Sequence, residues 1–259
     1  MRVPIFPPAD DPGSSFLHLL RSAGLEPFAT AAGELEIPHG TTCVALRYTN
    51  GVVIAGDRRA TAGNQIRSKS MDKVVQADDF SGVAISGAAG PAVEMIKLFQ
   101  LQLEHYEKME GHPLSLEGKA NQLSLMIRNN MPAAMQGLAV MPLFAGFEPQ
   151  DGTGHIWDFD FTGGRYEERE FVSIGSGSLH AGTVIKVGWR STLVRDDAVA
   201  LACRSLWEAA EADSATGGPD LLRGIYPIVA TITVDGWARV PDDELNTIFR
   251  SIEEEVKSR

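Results

Sequence analysis

Gly40-Thr41-Thr42-Cys43-Val44-Ala45-Leu46-Arg47-Tyr48-Thr49-Asn50-Gly51-Val52-Val53-Ile54-Ala55-Gly56-Asp57 is the stretch from which the rest of the chain can be read. Thr41 to Tyr48 is β-branched and apolar, the composition of a buried strand. Asn50-Gly51 is a dipeptide favoured in tight hairpin turns, where the backbone needs positive φ. Val52-Val53-Ile54-Ala55 returns as the partner strand, which carries Asp57 back towards the start of the first.

Upstream, the chain changes character. Residues 1–40 hold six of the 14 prolines (Pro4, Pro7, Pro8, Pro12, Pro27 and Pro38). Arg2 and Arg21 stand against Asp10, Asp11, Glu26, Glu34 and Glu36, a net charge of −3, which leaves −8 of the total −11 for the other 219 residues. Ser15 to Arg21, with Phe16, Leu19 and Leu20, reads as a short amphipathic helix. A signal peptide is excluded, because prolines and acids replace the basic and continuous apolar regions it requires. Composition alone makes residues 1–40 a disordered leader. A pro-segment is the sharper alternative, and the junction at residue 40 decides between them.

Downstream, Lys73-Val74-Val75 and Val83-Ala84-Ile85-Ser86 predict two short strands. Helical spacing of Val93, Ile96, Leu98, Phe99, Leu103 and Tyr106 predicts a helix from Pro91 to Glu110, stopped by Gly111. A second, from Leu114 to Gln136, has Leu116, Ala120, Leu123, Ile127 and Met131 on one face and Pro132 interrupting its end. Strands follow at Leu138–Phe147, His155–Phe161 and Arg165–Ile174, then helices at Ser178–Gly188 and Asp196–Ala212. Strands Ile225–Val234 and Trp237–Val240 precede a last helix, Pro241–Lys257. This order predicts an α+β fold: two antiparallel sheets packed face to face, with helix pairs outside.

Composition narrows the function. The 259 residues are 44% hydrophobic and 22% charged, the balance of a globular chain that needs no staples. An acidic chain repels phosphate backbones, and Arg58-Arg59 is the only adjacent basic pair, so no nucleic-acid partner is expected. Two cysteines, Cys43 and Cys203, cannot frame a disulfide scaffold and suit a reducing, cytoplasmic compartment. The longest apolar run, Gly137 to Phe147, contains a proline and is too short to span a membrane. The six histidines lack metal-ligand spacing, and no phosphate-loop, zinc or nucleophile-elbow motif is present, so no cofactor or metal is expected.

The chemistry lies at the Gly40–Thr41 bond. Cleavage there would give Thr41 a free α-amine, whose pKa of about 7.7–8.0 lets it act as base for its own hydroxyl. Gly40 leaves its carbonyl open to attack and tolerates a strained backbone. Taken alone, Thr-Thr also simply opens a strand. Asp57 and Lys73 alter that balance, since a lysine among buried strands needs a carboxylate partner and Asp57 is the natural one.

In this ordered set the chain resembles the β-type subunits of the 20S proteasome, threonine proteases with an N-terminal nucleophile. The resemblance covers residues 41–259 and rests on Thr41-Thr42, Gly56-Asp57-Arg58-Arg59, Lys73, Ser86-Gly87, Gly175-Ser176-Gly177-Ser178 and Asp213-Ser214-Ala215-Thr216-Gly217-Gly218. The stretches around Leu103–Glu107 and Asp213–Gly224 resemble the actinobacterial branch. It implies the four-layer αββα sandwich of N-terminal-nucleophile hydrolases and a propeptide, 1–40, removed autocatalytically to leave a mature domain, 41–259. Thr41 is then the expected nucleophile, with Lys73 lowering its pKa and Asp57 orienting the lysine. Ser176, Asp213 and Thr216 form the supporting network, with threonine where the family commonly has serine. The Gly87 N–H is the expected oxyanion donor. By the same resemblance Ala60, Met71, Val75, Ile85 and Ala89 line an apolar pocket for the residue before the cut bond. Thr61, Gly87 and Ala89 take the substrate backbone as an added strand. Expected partners are proteasome α-type subunits, heptameric β rings stacked between α rings, an ATP-dependent unfoldase and unfolded polypeptide. A structural ring subunit and the two-ring bacterial relative are the alternatives. With the leader attached, Thr41 carries an amide, and the site is expected to be unformed or blocked.

Overall fold

The structure, a computed structural model, describes residues 40–63 and 65–258. The expectations on residues 1–39, the Ser15–Arg21 helix included, lie outside the described residues. The hairpin read from the sequence forms as strands β1 (Thr42–Tyr48) and β2 (Gly51–Gly56), with Tyr48 opposite Gly51 and Cys43 opposite Gly56. The turn is therefore Thr49-Asn50, one residue earlier than expected, and Gly51 is in the strand. Strand β1 starts one residue later than expected. Thr41 is outside it, at the strand's mouth.

Both faces of β1 are buried from Thr42 to Leu46, which explains the apolar run Cys43–Leu46; Arg47 is only partly buried. Cys43 and Ala45 point into a layer shared with Val74, Ala84, Leu143, Ala145 and Ile156 of other strands. Val44, Leu46 and Tyr48 point the opposite way, against helices. Continuing from β2, a small hairpin pairs β3 (Ala60–Ala62) with β4 (Gln65–Ser68), which the sequence pattern did not reveal because each strand is too short to show a period. Next come β5 (Val74–Asp78), β6 (Ser81–Gly87), β7 (Val140–Glu148), β8 (Thr153–Phe159), β9 (Arg165–Glu168), β10 (Phe171–Gly175), β11 (Ile228–Thr233) and β12 (Gly236–Arg239). The helices among the described residues are α1 (Ala89–Glu110), α2 (Leu116–Asn129), α3 (Met131–Ala134), α4 (Ser178–Gly188), α5 (Arg195–Ala212) and α6 (Asp242–Lys257).

Two five-stranded antiparallel sheets result, in the orders β10-β1-β2-β11-β12 and β5-β6-β7-β8-β9. Their facing sides share one apolar cluster. The outer face of the first sheet carries α4, α5 and α6, through Ile185, Ala202, Leu206 and Phe249. Helices α1 and α2 cover the outer face of the second with Phe99, Leu103, Leu123 and Ile127. That is the expected α+β, four-layer αββα arrangement.

Three expectations need correction. Arg165–Ile174 is two strands in different sheets: β9 pairs with β8 and β10 with β1. The charged run Arg165–Glu170 suits an exposed edge, and the chain changes sheet where apolar Phe171-Val172 begins. The Leu114–Gln136 helix breaks at Asn130, because Pro132 lacks an N–H and is accommodated only in the first turn of a new helix, α3. Val93 and Leu98, expected on the buried face of the first helix, are 40% and 48% exposed, while Ala92 and Met95 take that face. Gly111 ends α1 as expected, in the left-handed region at φ 76°.

Candidate active site

The site sits where the two sheets meet, at the mouth of β1. Asp57 follows β2 and lies opposite Thr42, whose carbonyl accepts the Asp57 N–H at 3.1 Å. Gly56 permits the approach of the second sheet, because a Cβ there would lie 2.8 Å from Cys43 Sγ and 2.9 Å from Val74 Cγ2. Lys73, just before β5, therefore reaches across and donates to Asp57 Oδ1 at 2.7 Å. The two side chains are 1% and 0% exposed. A buried pair is tolerated only when its remaining lone pairs are filled. Here Oδ1 also accepts the Thr42 N–H at 2.9 Å. Oδ2 accepts the N–H groups of Arg59 and Gly217, each at 2.8 Å.

Lys73 makes a second bond. Its Nζ donates to the carbonyl oxygen of Gly40 at 2.9 Å, the carbonyl of the Gly40–Thr41 peptide. The ammonium is thus already on the oxygen that would gain charge if that bond were attacked. Neighbouring Cys43 offers no rival nucleophile: burial pushes its thiol up to about 12, against the pull of Lys73.

A second cluster closes the other side. Asp213 Oδ2 accepts from Ser176 Oγ at 2.5 Å and from Thr216 Oγ1 at 2.6 Å, and Oδ1 accepts the Ala215 N–H at 3.1 Å. Burial raises the Asp213 pKa, but the two hydroxyls and the N–H outweigh it and hold the carboxyl below its usual range. Thr216 Oγ1 lies 2.5 Å from Thr42 Oγ1, which also accepts the Gly177 N–H at 3.1 Å. Thr41 connects to this cluster through its carbonyl, which accepts the Ser176 N–H at 2.9 Å. The chain comes this close because Gly175 has no side chain and sits at φ 96°; a Cβ would run into the Thr41 carbonyl oxygen.

Of the residues expected at the site, the structure thus gathers Gly40, Thr41, Asp57, Lys73, Ser176, Asp213 and Thr216 around the mouth of β1. Gly87 ends β6, the strand that lies beside Lys73 through the Ile85 N–H to Lys73 carbonyl bond of 2.9 Å. Its glycine has a local cause, φ 98° and a Cβ direction blocked by the Ala139 carbonyl, rather than only the close approach of a substrate. Met71, Val75 and Ile85 lie together in the apolar cluster on the helix side of the second sheet. Ala60 and Thr61 are on β3, and Ala89 is exposed at the start of α1. Of the expected unformed or blocked site, the first alternative does not hold for the ion pair or the Asp213 cluster, both formed with residue 40 attached, while Thr41 is still tied up in the Gly40–Thr41 peptide. What residue 40 does is occupy Lys73.

This ordered constellation can be compared with known proteins. The family model described as "Proteasome subunit" matches residues 37–220. The chain belongs to the proteasome subunit family. Among curated relatives, the proteasome subunit beta of Acidimicrobium ferrooxidans is 53% identical over 100% of this chain and 96% of its own length. That of Streptomyces griseus is 54% identical over 85% of this chain and 78% of its own. That of a Parafrankia species is 49% identical over 92% and 89%. The proteasome family makes the chain a subunit of a multi-subunit protease. No helix among the described residues is long and apolar enough to cross a membrane, and none of their His, Cys, Asp or Glu side chains group in threes to hold a metal.

For this proteasome-family chain, sequence reasoning gave no role to Thr42, Gly177, Gly217 or the Arg59 N–H. Three of these act through backbone N–H groups, which no side-chain pattern announces. It also explained Gly40 by the openness of its carbonyl, and the structure adds a contact: a Cβ on Gly40 would lie 2.6 Å from Thr61 Oγ1. Relief requires Thr61 to turn about χ1 until neither its hydroxyl nor its methyl faces residue 40, and β-branching restricts those turns. Gly40→Ala is therefore expected to lengthen the half-time of leader loss about tenfold, with Thr61→Ala in the same chain restoring most of it. Intact-mass time courses measure both, and parental speed in Gly40→Ala alone would show the contact to be immaterial.

Proposed function

We propose that this chain is the catalytic β subunit of a 20S proteasome, a threonine endopeptidase that releases its own nucleophile at Gly40–Thr41. The observation that carries this is the Lys73 ammonium, paired with Asp57 and seated 2.9 Å from the Gly40 carbonyl oxygen. In the precursor, Thr41 Oγ attacks the Gly40 carbonyl carbon and negative charge develops on the oxygen that Lys73 holds. The carbon–nitrogen bond then breaks, the Thr41 nitrogen takes up the hydroxyl proton and becomes a free amine, and water hydrolyses the resulting ester. Two products result: a leader ending in the Gly40 carboxylate and a mature chain beginning at Thr41.

Release of the leader frees Lys73 from Gly40. The new α-amine, with an ordinary pKa of about 7.7–8.0, can take the proton of the Thr41 hydroxyl as it attacks a substrate carbonyl. It then returns that proton to the leaving amine, and water hydrolyses the ester left on Thr41, releasing the new carboxyl end and restoring the hydroxyl. Ser176, Asp213 and Thr216 orient this end of the chain, and the Gly87 N–H serves as oxyanion donor, a group whose loss typically costs about 10²–10³ in rate. Substrate lies along Thr61, Gly87 and Ala89 as an added strand, with its apolar residue towards Ala60, Met71, Val75, Ile85 and Ala89. Such recognition needs unfolded polypeptide, which suits a cytoplasmic chamber of stacked β and α rings fed by an ATP-dependent unfoldase.

The test is the intact mass of the full chain, co-expressed with the α-type subunit of the same organism. Loss of residues 1–40, a mature N-terminus at Thr41 and peptide hydrolysis in the same fraction are expected. Assembled rings that keep full-length chains and hydrolyse nothing would overturn the reading in favour of a structural subunit.

A further inference from the structure

We propose that Thr42 is a positioning residue: it fastens the Asp57–Lys73 pair to the Ser176–Asp213–Thr216 cluster and so fixes the backbone that presents Thr41. This rests on the catalytic reading of Thr41 given above. Thr42 is fully buried and uses every polar group it has. Its N–H donates to the same carboxylate oxygen of Asp57 that Lys73 holds. Its carbonyl accepts the Asp57 N–H. Its hydroxyl accepts the Gly177 N–H and lies 2.5 Å from Thr216 Oγ1.

Proton counting gives the hydroxyl chain a direction. Asp213 is ionised near neutral pH, so it only accepts. Ser176 and Thr216 each have one hydroxyl proton and both commit it to Asp213 Oδ2. Thr216 Oγ1 must then be the acceptor in its contact with Thr42, and Thr42 the donor. The chain runs from the Gly177 N–H through the Thr42 and Thr216 hydroxyls to Asp213, with no proton left over. Thr42 is therefore held at both its amide and its hydroxyl, one bonded to each arm of the site. The Thr41–Thr42 peptide plane is held in orientation, because turning it breaks the bond from the Thr42 N–H to Asp57 and the bond from the Ser176 N–H to the Thr41 carbonyl.

Gly177 supplies a second line of support. Its φ of −86° suits any residue, yet a Cβ there would collide with Thr42 Oγ1 and lie 2.8 Å from Thr216 Oγ1. Glycine at 177 is explained by the space these two hydroxyls occupy, not by backbone conformation.

The experiment compares leader loss and peptide hydrolysis in the full chain, co-expressed with its α-type partner, for the parent, Thr42→Val, Thr42→Ser and Gly177→Ala. Valine keeps the shape of Thr42 and removes only the hydroxyl. A merely structural role would show as lost assembly or a lowered thermal midpoint in Thr42→Val, not as a fall in kcat at unchanged KM in rings that assemble. Thr42→Val and Gly177→Ala are expected to slow leader loss and lower kcat by roughly 10- to 100-fold with KM little changed, while Thr42→Ser stays close to the parent. Should Thr42→Val not assemble, Thr42→Ser against Gly177→Ala decides, since the second keeps both hydroxyls and displaces them. Parental rates in either Thr42→Val or Gly177→Ala, or a Thr42→Ser as slow as Thr42→Val, would overturn the positioning role while leaving the protease reading intact. A parent that never loses its leader overturns both.

Discussion

Thr41→Ala is expected to keep residues 1–40 attached and to lose peptide hydrolysis by on the order of 10⁴-fold or more, the scale seen when a catalytic nucleophile is removed. Thr41→Ser keeps a hydroxyl beside the same nitrogen and should retain both activities. The two readouts are separable. Intact mass reports the self-directed cut, and a peptide substrate reports the mature site. Thr41 is 6% exposed and its carbonyl is already bonded to Ser176, so alanine removes the hydroxyl without disturbing the backbone that carries it. A Thr41→Ala chain that still sheds its leader in pure rings and cleaves peptide would place the nucleophile elsewhere.

The second large effect is expected from Asp57→Asn. Each carboxylate oxygen of Asp57 faces two donors, Lys73 and the Thr42 N–H on one side, the Arg59 and Gly217 N–H groups on the other. An asparagine has one NH₂, and either way round it points that donor at two others. The buried Lys73 ammonium also loses its counter-charge. Removing one member of a buried pair costs about 3–5 kcal/mol. In a domain of this size that lowers the thermal midpoint by roughly 10 °C. Leader loss should stop as well, since Lys73 is no longer held on the Gly40 carbonyl. Calorimetry on the full chain and intact mass on the co-expressed rings check the two parts. An unchanged midpoint with normal leader loss would mean that the pair carries neither the stability nor the chemistry assigned to it.

Legibility in the sequence followed the strength of local signals. The β1–β2 hairpin was readable because Asn50-Gly51 marks a chain reversal between two apolar runs, although the turn itself is Thr49-Asn50 and Gly51 already pairs with Tyr48. Helix α1 was readable because Gly111 ends its apolar spacing. Arg165–Ile174 misled because an edge strand and the start of another sheet's edge strand run on without a proline or glycine between them. The Asp57–Lys73 partnership could be argued from charge alone, since neither residue is stable when buried without the other. The cluster around Asp213 could not be assembled that way. Thr42 and Thr216 are 174 residues apart, and nothing in the composition of either segment points to the other. Resemblance to a family placed Ser176, Asp213 and Thr216 in one neighbourhood, but the bonds of Thr42 and of the Gly177 and Gly217 N–H groups needed the fold.

The ion pair joins the two halves of the sandwich: Asp57 follows a strand of one sheet, and Lys73 precedes the first strand of the other. The pair cannot form before the sheets meet. The contact between Thr42 and Thr216 cannot form until most of the polypeptide has been made. Any bond-breaking that relies on both is closed to a nascent or half-folded chain and opens only once the interior is in place. A cut at Gly40 would then act as a proofreading step, marking the molecules that have finished folding.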